Sequence, residues 1–104
     1  MDYRDITSAI RDKDIPATYG EFTSSPGLPF VVVVESFGSD LHADNKNYVD
    51  IDNLQVELYT DKKHPPTEWK IEEALEELGL GYEWTETPIE SESMFQRIYE
   101  LQII

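Results

Sequence analysis

The chain has 104 residues, 22 of them acidic and 8 basic, and its formal net charge is −14. This length fits one core, so we predict a single domain over residues 1–104. The negative charge repels a phosphate backbone, which argues against sequence-specific nucleic-acid binding. The sequence lacks cysteine, which excludes disulfides, thiolate metal sites and a cysteine nucleophile. No apolar run reaches the roughly 18 residues of a membrane span, so we expect no membrane partner.

The first third of the chain predicts one helix and one short strand. Tyr3, Ile6 and Ile10 have helical spacing over Asp2 to Asp12, and acidic residues suit the positive end of that helix. The helix ends before Pro16 because a residue that precedes proline avoids the α region. Ala17 to Phe22 then predicts a short strand, and Ser24 to Pro29 is a loop by composition.

Two longer strands follow and predict an antiparallel hairpin. Phe30 to Phe37 contains four consecutive valines, which fill both faces of a strand and so predict a central one. Tyr48 to Thr60 alternates, with Leu54, Val56 and Leu58 on one face and Gln55, Glu57 and Tyr59 on the other. The polar connection is longer than most hairpin loops, which invites a functional explanation.

A second helix begins at Pro65, with Thr67 as a candidate cap. Its apolar stripe consists of Ile71, Ala74, Leu75 and Leu78, opposite a glutamate-rich face. Gly79 suits the left-handed conformation that ends a helix, and Leu80 can pack back on the last turn. We interpret this segment as a helix that lies on a sheet.

The last two strands are predicted over Tyr82 to Ile89 and Met94 to Ile104. In the final one, apolar residues occupy both faces. Core packing explains one face, and contact with a neighbouring subunit is an equally good explanation of the other. Candidate oligomer contacts are Met94, Ile98, Ile103 and Ile104. The elements together predict an α+β fold, a two-layer sandwich of an antiparallel or mixed sheet with two α-helices.

Catalytic and metal-binding patterns are absent from the sequence. His42 and His64 lack partners at metal-ligand spacing, and the aspartates around Asp50 lack the glycine and glutamate of a calcium loop. Glu68 and Lys70 faintly resemble a nuclease pair, but they fall on a predicted helix instead of a strand. No nucleophile elbow or phosphate-binding glycine loop is present. We therefore predict no enzyme activity, no cofactor and no metal site.

The segment from Phe30 to Lys63 carries a family resemblance. Its features are the strand after Leu28-Pro29, the Ala43-Asp44-Asn45-Lys46-x-Tyr48 loop and Glu57-Leu58-Tyr59-Thr60-x-Lys62-Lys63. It resembles siphophage and prophage proteins of the head-tail junction, described as tail terminator, neck or head-tail joining proteins. The resemblance implies a virion protein, assembled in the host cytoplasm, whose ring of usually six subunits caps the tail tube and meets the head connector. DNA would pass through that ring without specific binding.

The long loop is the candidate partner-binding segment. Its candidate residues are Ser39, Asp40, Leu41, His42, Asp44, Asn45, Lys46 and Tyr48. A tyrosine often anchors interfaces, although packing over the hairpin explains Tyr48 as well. Two other functions stay open: a head-closure component of the neck, and an acidic regulatory protein that mimics nucleic acid.

Overall fold

The structure is a computed structural model that describes residues 1–36 and 52–103. It contains a five-stranded sheet and two helices, so the predicted α+β fold is confirmed. A single turn of 3₁₀ helix joins the last two strands at Glu90–Glu92. The elements in chain order are α1 (Tyr3–Arg11), β1 (Ala17–Tyr19), β2 (Phe30–Glu35), β3 (Asp52–Thr60), α2 (Pro65–Glu77), β4 (Glu83–Ile89) and β5 (Met94–Ile103).

The sheet is mixed, with the strand order β1-β2-β3-β5-β4. Only β1 and β2 are parallel, and the remaining pairs are antiparallel. The predicted pairing of β2 with β3 is confirmed, with Val33 opposite Val56. Because β2 has β1 on one side and β3 on the other, its prediction as a central strand is also confirmed. The edge strands are β1 and β4.

Both helices pack on the same face of the sheet. The register places alternate residues of every strand toward them, and these positions form one continuous core with α1 and α2. The helices contribute Ile6, Ile10, Ile71, Ala74 and Leu75, all fully buried. The strands contribute Ala17, Val31, Val33, Leu54, Val56, Leu58, Tyr99, Leu101 and Ile103. The result is a two-layer sandwich with a single hydrophobic core.

Helix α1 begins at a reciprocal cap. The Asp2 side chain accepts from the Arg4 backbone N–H at 2.8 Å, and the Asp5 carboxylate accepts from the Asp2 N–H at 2.8 Å. These bonds satisfy amides that have no partner inside the helix, which confirms the expectation that acidic residues stabilise this end. The predicted helix agrees with the observed bounds to within a residue at each end.

Helix α2 has a different cap from the predicted one. His64 is the N-cap residue, and its Nδ1 accepts from the Thr67 backbone N–H at 3.3 Å, so the prediction of a threonine cap is wrong. The Thr67 hydroxyl lies 2.7 Å from the same ring nitrogen. The predicted end of the helix is confirmed: Gly79 has φ 76°, and the Leu80 N–H donates to the Leu75 carbonyl at 3.0 Å.

The predicted strand from Ala17 to Phe22 is too long. It ends at Tyr19, because Gly20 turns the backbone out of the extended region with φ 85°. Phe22 lies in the following loop and contacts the Phe30 ring edge-on, with 5.6 Å between centroids. Phe22 therefore packs on the sheet from a loop, without belonging to the strand.

Candidate functional site

The face of the sheet opposite the helices is the candidate functional surface, which we call the open sheet face. No described helix covers it, because α1 and α2 both pack on the other face. Its apolar side chains are only half buried. They are Phe30, Val32 and Val34 of β2, Tyr59 of β3 and Ile98 of β5. Glu57 of β3 lies directly between Val32 and Ile98, so a carboxylate separates the apolar side chains of β2 from that of β5.

Aromatic contacts order one end of the open sheet face. The Phe30 ring stacks on Tyr59 at 5.0 Å between centroids and meets Phe22 edge-on. The Tyr59 hydroxyl donates to Glu57 at 2.9 Å and accepts from Gln96 at 2.9 Å. Burial and the neighbouring Glu57 carboxylate raise the pKa of Tyr59. This end is therefore held by both packing and hydrogen bonds.

The charges on the open sheet face have one sign. Glu57, Glu83 and Glu100 lie there, and within residues 1–36 and 52–103 the register places no lysine or arginine on it. Glu83 and Glu100 are directly opposite each other across β4 and β5. Like charges in that position destabilise a strand pair. The described part of the chain supplies no cation on this face to offset that repulsion.

A buried ionic cluster lies on the other side of the sheet, between β5 and α2. Arg97 is its centre, with a side chain only 8% exposed. Its guanidinium bonds Glu86 at 2.5 Å, Glu72 at 2.9 Å and the Tyr99 hydroxyl at 2.8 Å. The members of this Arg97 cluster are Arg97, Glu68, Glu72, Glu86, Lys63 and Tyr99.

Hydrogen bonds connect the members of the Arg97 cluster to one another. Tyr99 donates to Glu72 at 2.8 Å, and Lys63 bonds both Glu68, at 2.8 Å, and Glu86. Burial opposes the charged form of Arg97, but its bonds to Tyr99 and the carboxylates outweigh that effect and raise its pKa. Burial and the bond to Glu72 raise the pKa of Tyr99. These bonds link α2 to β4 and β5.

An exposed aromatic ring covers the cluster. Trp84 of β4 is 51% exposed, and the Arg97 guanidinium lies 3.9 Å from its ring centroid. This geometry gives a cation–π contact that shields the charged group from water on one side. The tryptophan therefore helps to complete the burial of Arg97 at the edge of the sheet.

Sequence reasoning missed the Arg97 cluster. A signal was available, since Arg97 has the same parity in β5 as the apolar residues Tyr99 and Leu101 and so faces the core. Glu68 similarly lies on the buried side of α2, one turn before Ile71. A cation and a carboxylate on two core-facing surfaces predict a buried pair, because neither is stable there alone.

The structure separates the predicted site residues into three groups. Met94 and Ile98 lie on the open sheet face and are half buried. Ile103 is 4% exposed and packs in the core, so it offers a neighbouring subunit almost no surface. Outside the described residues lie Ile104 and the whole predicted loop set, namely Ser39, Asp40, Leu41, His42, Asp44, Asn45, Lys46 and Tyr48.

The residues considered for metal and nuclease chemistry are only partly within the described residues. Within residues 1–36 and 52–103, no three side chains of the types His, Cys, Asp or Glu are grouped to hold a metal ion. Glu68 is buried and paired with Lys63, while Lys70 is exposed on the helix surface. Neither described helix is long and apolar enough to cross a bilayer.

Comparison with known proteins gives no assignment. No family profile matches the chain, and no curated protein matches it at a significant level.

The ionic cluster predicts a specific pH dependence of stability. Burial by itself raises the pKa of Glu86, but hydrogen bonds from Lys63 and Arg97 hold it below its ordinary value of 4.5. A lowered folded pKa stabilises the protein above pH 4.5, and this contribution is lost as the pH falls through the folded value. We expect Glu86→Gln to lose roughly 1–3 kcal/mol at neutral pH.

Urea unfolding at a series of pH values measures this effect. The difference between wild type and Glu86→Gln should shrink as the pH falls below 4.5. Glu90→Gln, at an exposed turn position, is the matched control and should show little difference at any pH. A gap for Glu86→Gln that stays constant from neutral to acid pH would contradict the assignment.

Proposed function

We propose that the protein is a structural component of the phage head-tail junction, a tail terminator whose ring caps the tail tube and joins it to the head connector. The resemblance over Phe30 to Lys63 supports this function. The observation that carries it in the structure is the open sheet face, an apolar and acidic surface that the described helices leave uncovered. A surface of this kind suits assembly with other proteins.

The physical requirements of the role agree with the residues present. A ring subunit needs a head-to-tail interface whose rotation closes, together with one face for the tube and one for the connector. It does not need a nucleophile or a metal. A ring of six copies is the arrangement that the resemblance implies. A weak interface in solution that tightens on the tube end fits this role, since ordering several subunits at once offsets the entropy of association.

The charge supports passage of DNA without binding. At a net charge of −14, the subunit repels the duplex over the range that salt leaves unscreened. A channel lined by carboxylates would let DNA slide, because no lysine or arginine is held against the phosphates. The proposal therefore treats DNA as a passing polymer and the tube and connector proteins as the partners.

The loop from Ser39 to Tyr48 contacts the tube or connector in the proposed role. The test replaces His42 to Lys46 with glycine and serine in the phage or prophage that carries the gene. The circular dichroism spectrum should stay unchanged while heads and tails fail to join in electron micrographs. A glycine-serine replacement of Ser24 to Gly27, a loop with no assigned contact, should leave joining intact. Full infectivity of the first variant would refute the loop assignment.

A head-closure protein on the connector side of the neck is the nearest alternative, and it differs in partner, not in chemistry. Pull-down with purified tail tubes and purified connectors separates the two.

The other alternative is an acidic protein that mimics nucleic acid, which the net charge favours. Such a protein would stay small in the ultracentrifuge and bind a basic partner with strong salt dependence. The apolar side chains on the open sheet face are a poor imitation of a phosphate backbone.

A further inference from the structure

The two edges of the sheet differ in how their backbone groups are used. At the β1 edge, Pro16 accepts from the Val31 N–H, so the carbonyl of the next residue, Ala17, points outward. That carbonyl accepts from the Arg11 Nε at 2.9 Å, and β1 has only 3 residues. Helix α1 therefore closes this edge. Strand β4 has 7 residues, most of them exposed, and no described strand pairs with its outer side.

The hydrogen-bonding pattern identifies the outward backbone groups of β4. Successive residues of an antiparallel strand bond alternately toward its two sides. The Ser36 N–H donates to the Asn53 carbonyl at 2.7 Å, and this pair fixes the alternation through β3 and β5 to β4. Thr85 then bonds β5, whereas the N–H and carbonyl groups of Trp84 and Glu86 face outward.

A proline supports this assignment. Pro88 has the same parity as Trp84 and Glu86, and an edge strand tolerates proline where the missing N–H would face away from the sheet. Its carbonyl still accepts. Edges that resist pairing are usually short, covered or lysine-bearing, and β4 has none of these features within the described part of the chain. The edge is therefore open to main-chain pairing with an extended segment.

The charges beside β4 select the kind of segment. On the open sheet face, Glu83 lies opposite Glu100, and the described strands place no cation there. On the helix side, the Arg97 cluster combines three carboxylates with two cations. A second copy of β4 would bring only carboxylates, because the strand contains no lysine or arginine. A basic segment brings the cation that Glu83 and Glu100 lack.

Trp84 gives the helix side of this edge an apolar contact. The Arg97 guanidinium lies 3.9 Å from the ring centroid, yet the residue is 51% exposed. Successive side chains of an added strand point to opposite sides of the sheet. Apolar side chains can therefore pack on Trp84 while the alternate, basic side chains lie on the side of Glu83.

We infer that the outer edge of β4 binds an extended basic segment of another protein, which joins the sheet as an additional strand. Main-chain bonds to Trp84 and Glu86 hold the segment, and its lysines or arginines face Glu83 and Glu100. The inference goes beyond the proposed junction role and does not depend on it, since these contacts require only the chemistry of the segment.

Exchange of individual backbone amides with water, measured by NMR, tests this edge. The probe is a peptide as long as β4, 7 residues, in which lysine and valine alternate. In the free protein, the Trp84 and Glu86 amides should exchange rapidly and the Thr85 amide slowly. Saturating peptide should slow exchange at Trp84 and Glu86 at least about tenfold and change Thr85 little, because only the outward amides gain a partner.

Two control peptides separate main-chain pairing from charge. An isomer with D-valine has the same charge but does not form a regular strand, since D residues favour mirror-image dihedral angles, and it should protect neither amide. A peptide with glutamate in place of lysine should not bind, because like charges then meet at the edge.

A matched pair of protein variants tests the charge assignment. Glu83→Lys should weaken binding of the lysine-valine peptide at least about tenfold, measured by titration of the same amide signals. Glu21→Lys, at an exposed position in the loop after β1, should bind as wild type does. Both replace a charge of −1 with +1 and change the net charge from −14 to −12, so their difference reports position.

Several outcomes would overturn the inference. Protection of Trp84 and Glu86 in dilute free protein would show that the chain covers its own edge. Protection that rises with protein concentration alone would assign the edge to a second copy. Equal protection by the D-valine isomer would show charge attraction without strand pairing, and a lysine-valine peptide that protects neither amide would remove the site. These readouts involve no tail tube or connector, so they are distinct from failure of the junction role.

Discussion

Replacing Arg97 with methionine is expected to lower the free energy of unfolding by about 3–5 kcal/mol, the usual effect of removing one partner from a buried ion pair. Within residues 1–36 and 52–103, Arg97 is the only cation that contacts Glu72, and it shares Glu86 with Lys63. Methionine fills much of the space but leaves carboxylates and the Tyr99 hydroxyl without their donor. Uncompensated charge in a partly buried site is the dominant cost.

Urea unfolding at neutral pH measures this loss against a matched surface pair. Arg4→Met removes the arginine of the Asp2 ion pair, whose side chains are 76% and 42% exposed, and it should cost less than about 1 kcal/mol. A second comparison also removes the Glu72 carboxylate that Arg97→Met leaves without its cation. Arg97→Met combined with Glu72→Met should recover part of the stability, because a buried pair replaced as a unit by apolar groups is often neutral. Equal losses for Arg97→Met and Arg4→Met would show that the cluster is not buried in solution.

The secondary structure was predictable wherever the apolar periodicity agreed with the residues that begin or end a helix or strand. In β3, Leu54, Val56 and Leu58 face the core and Gln55 and Glu57 face away, as the alternation predicts. The stripe on α2 behaves in the same way, and Gly79 ends that helix as expected. These local signals specify the fold because the period of the pattern identifies the element and its buried side.

Errors arose where tertiary contacts replaced local rules. Thr67 is a good cap by type, but the ring nitrogen of His64 occupies that role, and a histidine cap has no strong sequence signal. The predicted β1 extended to Phe22, whereas the strand ends at Tyr19 and Phe22 packs on Phe30 from a loop. In both cases the residue type was informative about burial or hydrogen bonding but not about the backbone that presents it.

The candidate site divides in a similar way. The sequence indicated that both faces of β5 carry apolar residues, and the register assigns Ile98 to the open sheet face and Ile103 to the core. The sequence could not show that the described strands place no cation on this face, because that property depends on which strands are neighbours. The strand order, with β5 between β3 and β4, brings Glu57 and Glu100 onto one surface. The charge of this surface therefore depends on the order of the strands in the sheet.

A second large loss of stability is expected when a carboxylate is placed on the core-facing side of β2 instead of its other side. Val33→Asp should unfold the protein or lower its stability by several kcal/mol, because Val33 is fully buried opposite Val56 and a carboxylate there has no partner. Total stabilities of about 5–15 kcal/mol leave little margin for such a change. Val32→Asp is the matched control, one residue away on the open sheet face, where a half-buried position lets the carboxylate reach water.

The expected contrast is a soluble, cooperatively unfolding Val32→Asp protein and a Val33→Asp protein that has lost its near-ultraviolet circular dichroism and its thermal transition. Both substitutions cost similar strand propensity, and Val32→Asp also faces Glu57 across the strand pair, so a larger loss for Val33→Asp reflects the burial of its side chain. A Val32→Asp protein that unfolds as readily as Val33→Asp would indicate that this face is covered in solution as completely as the core.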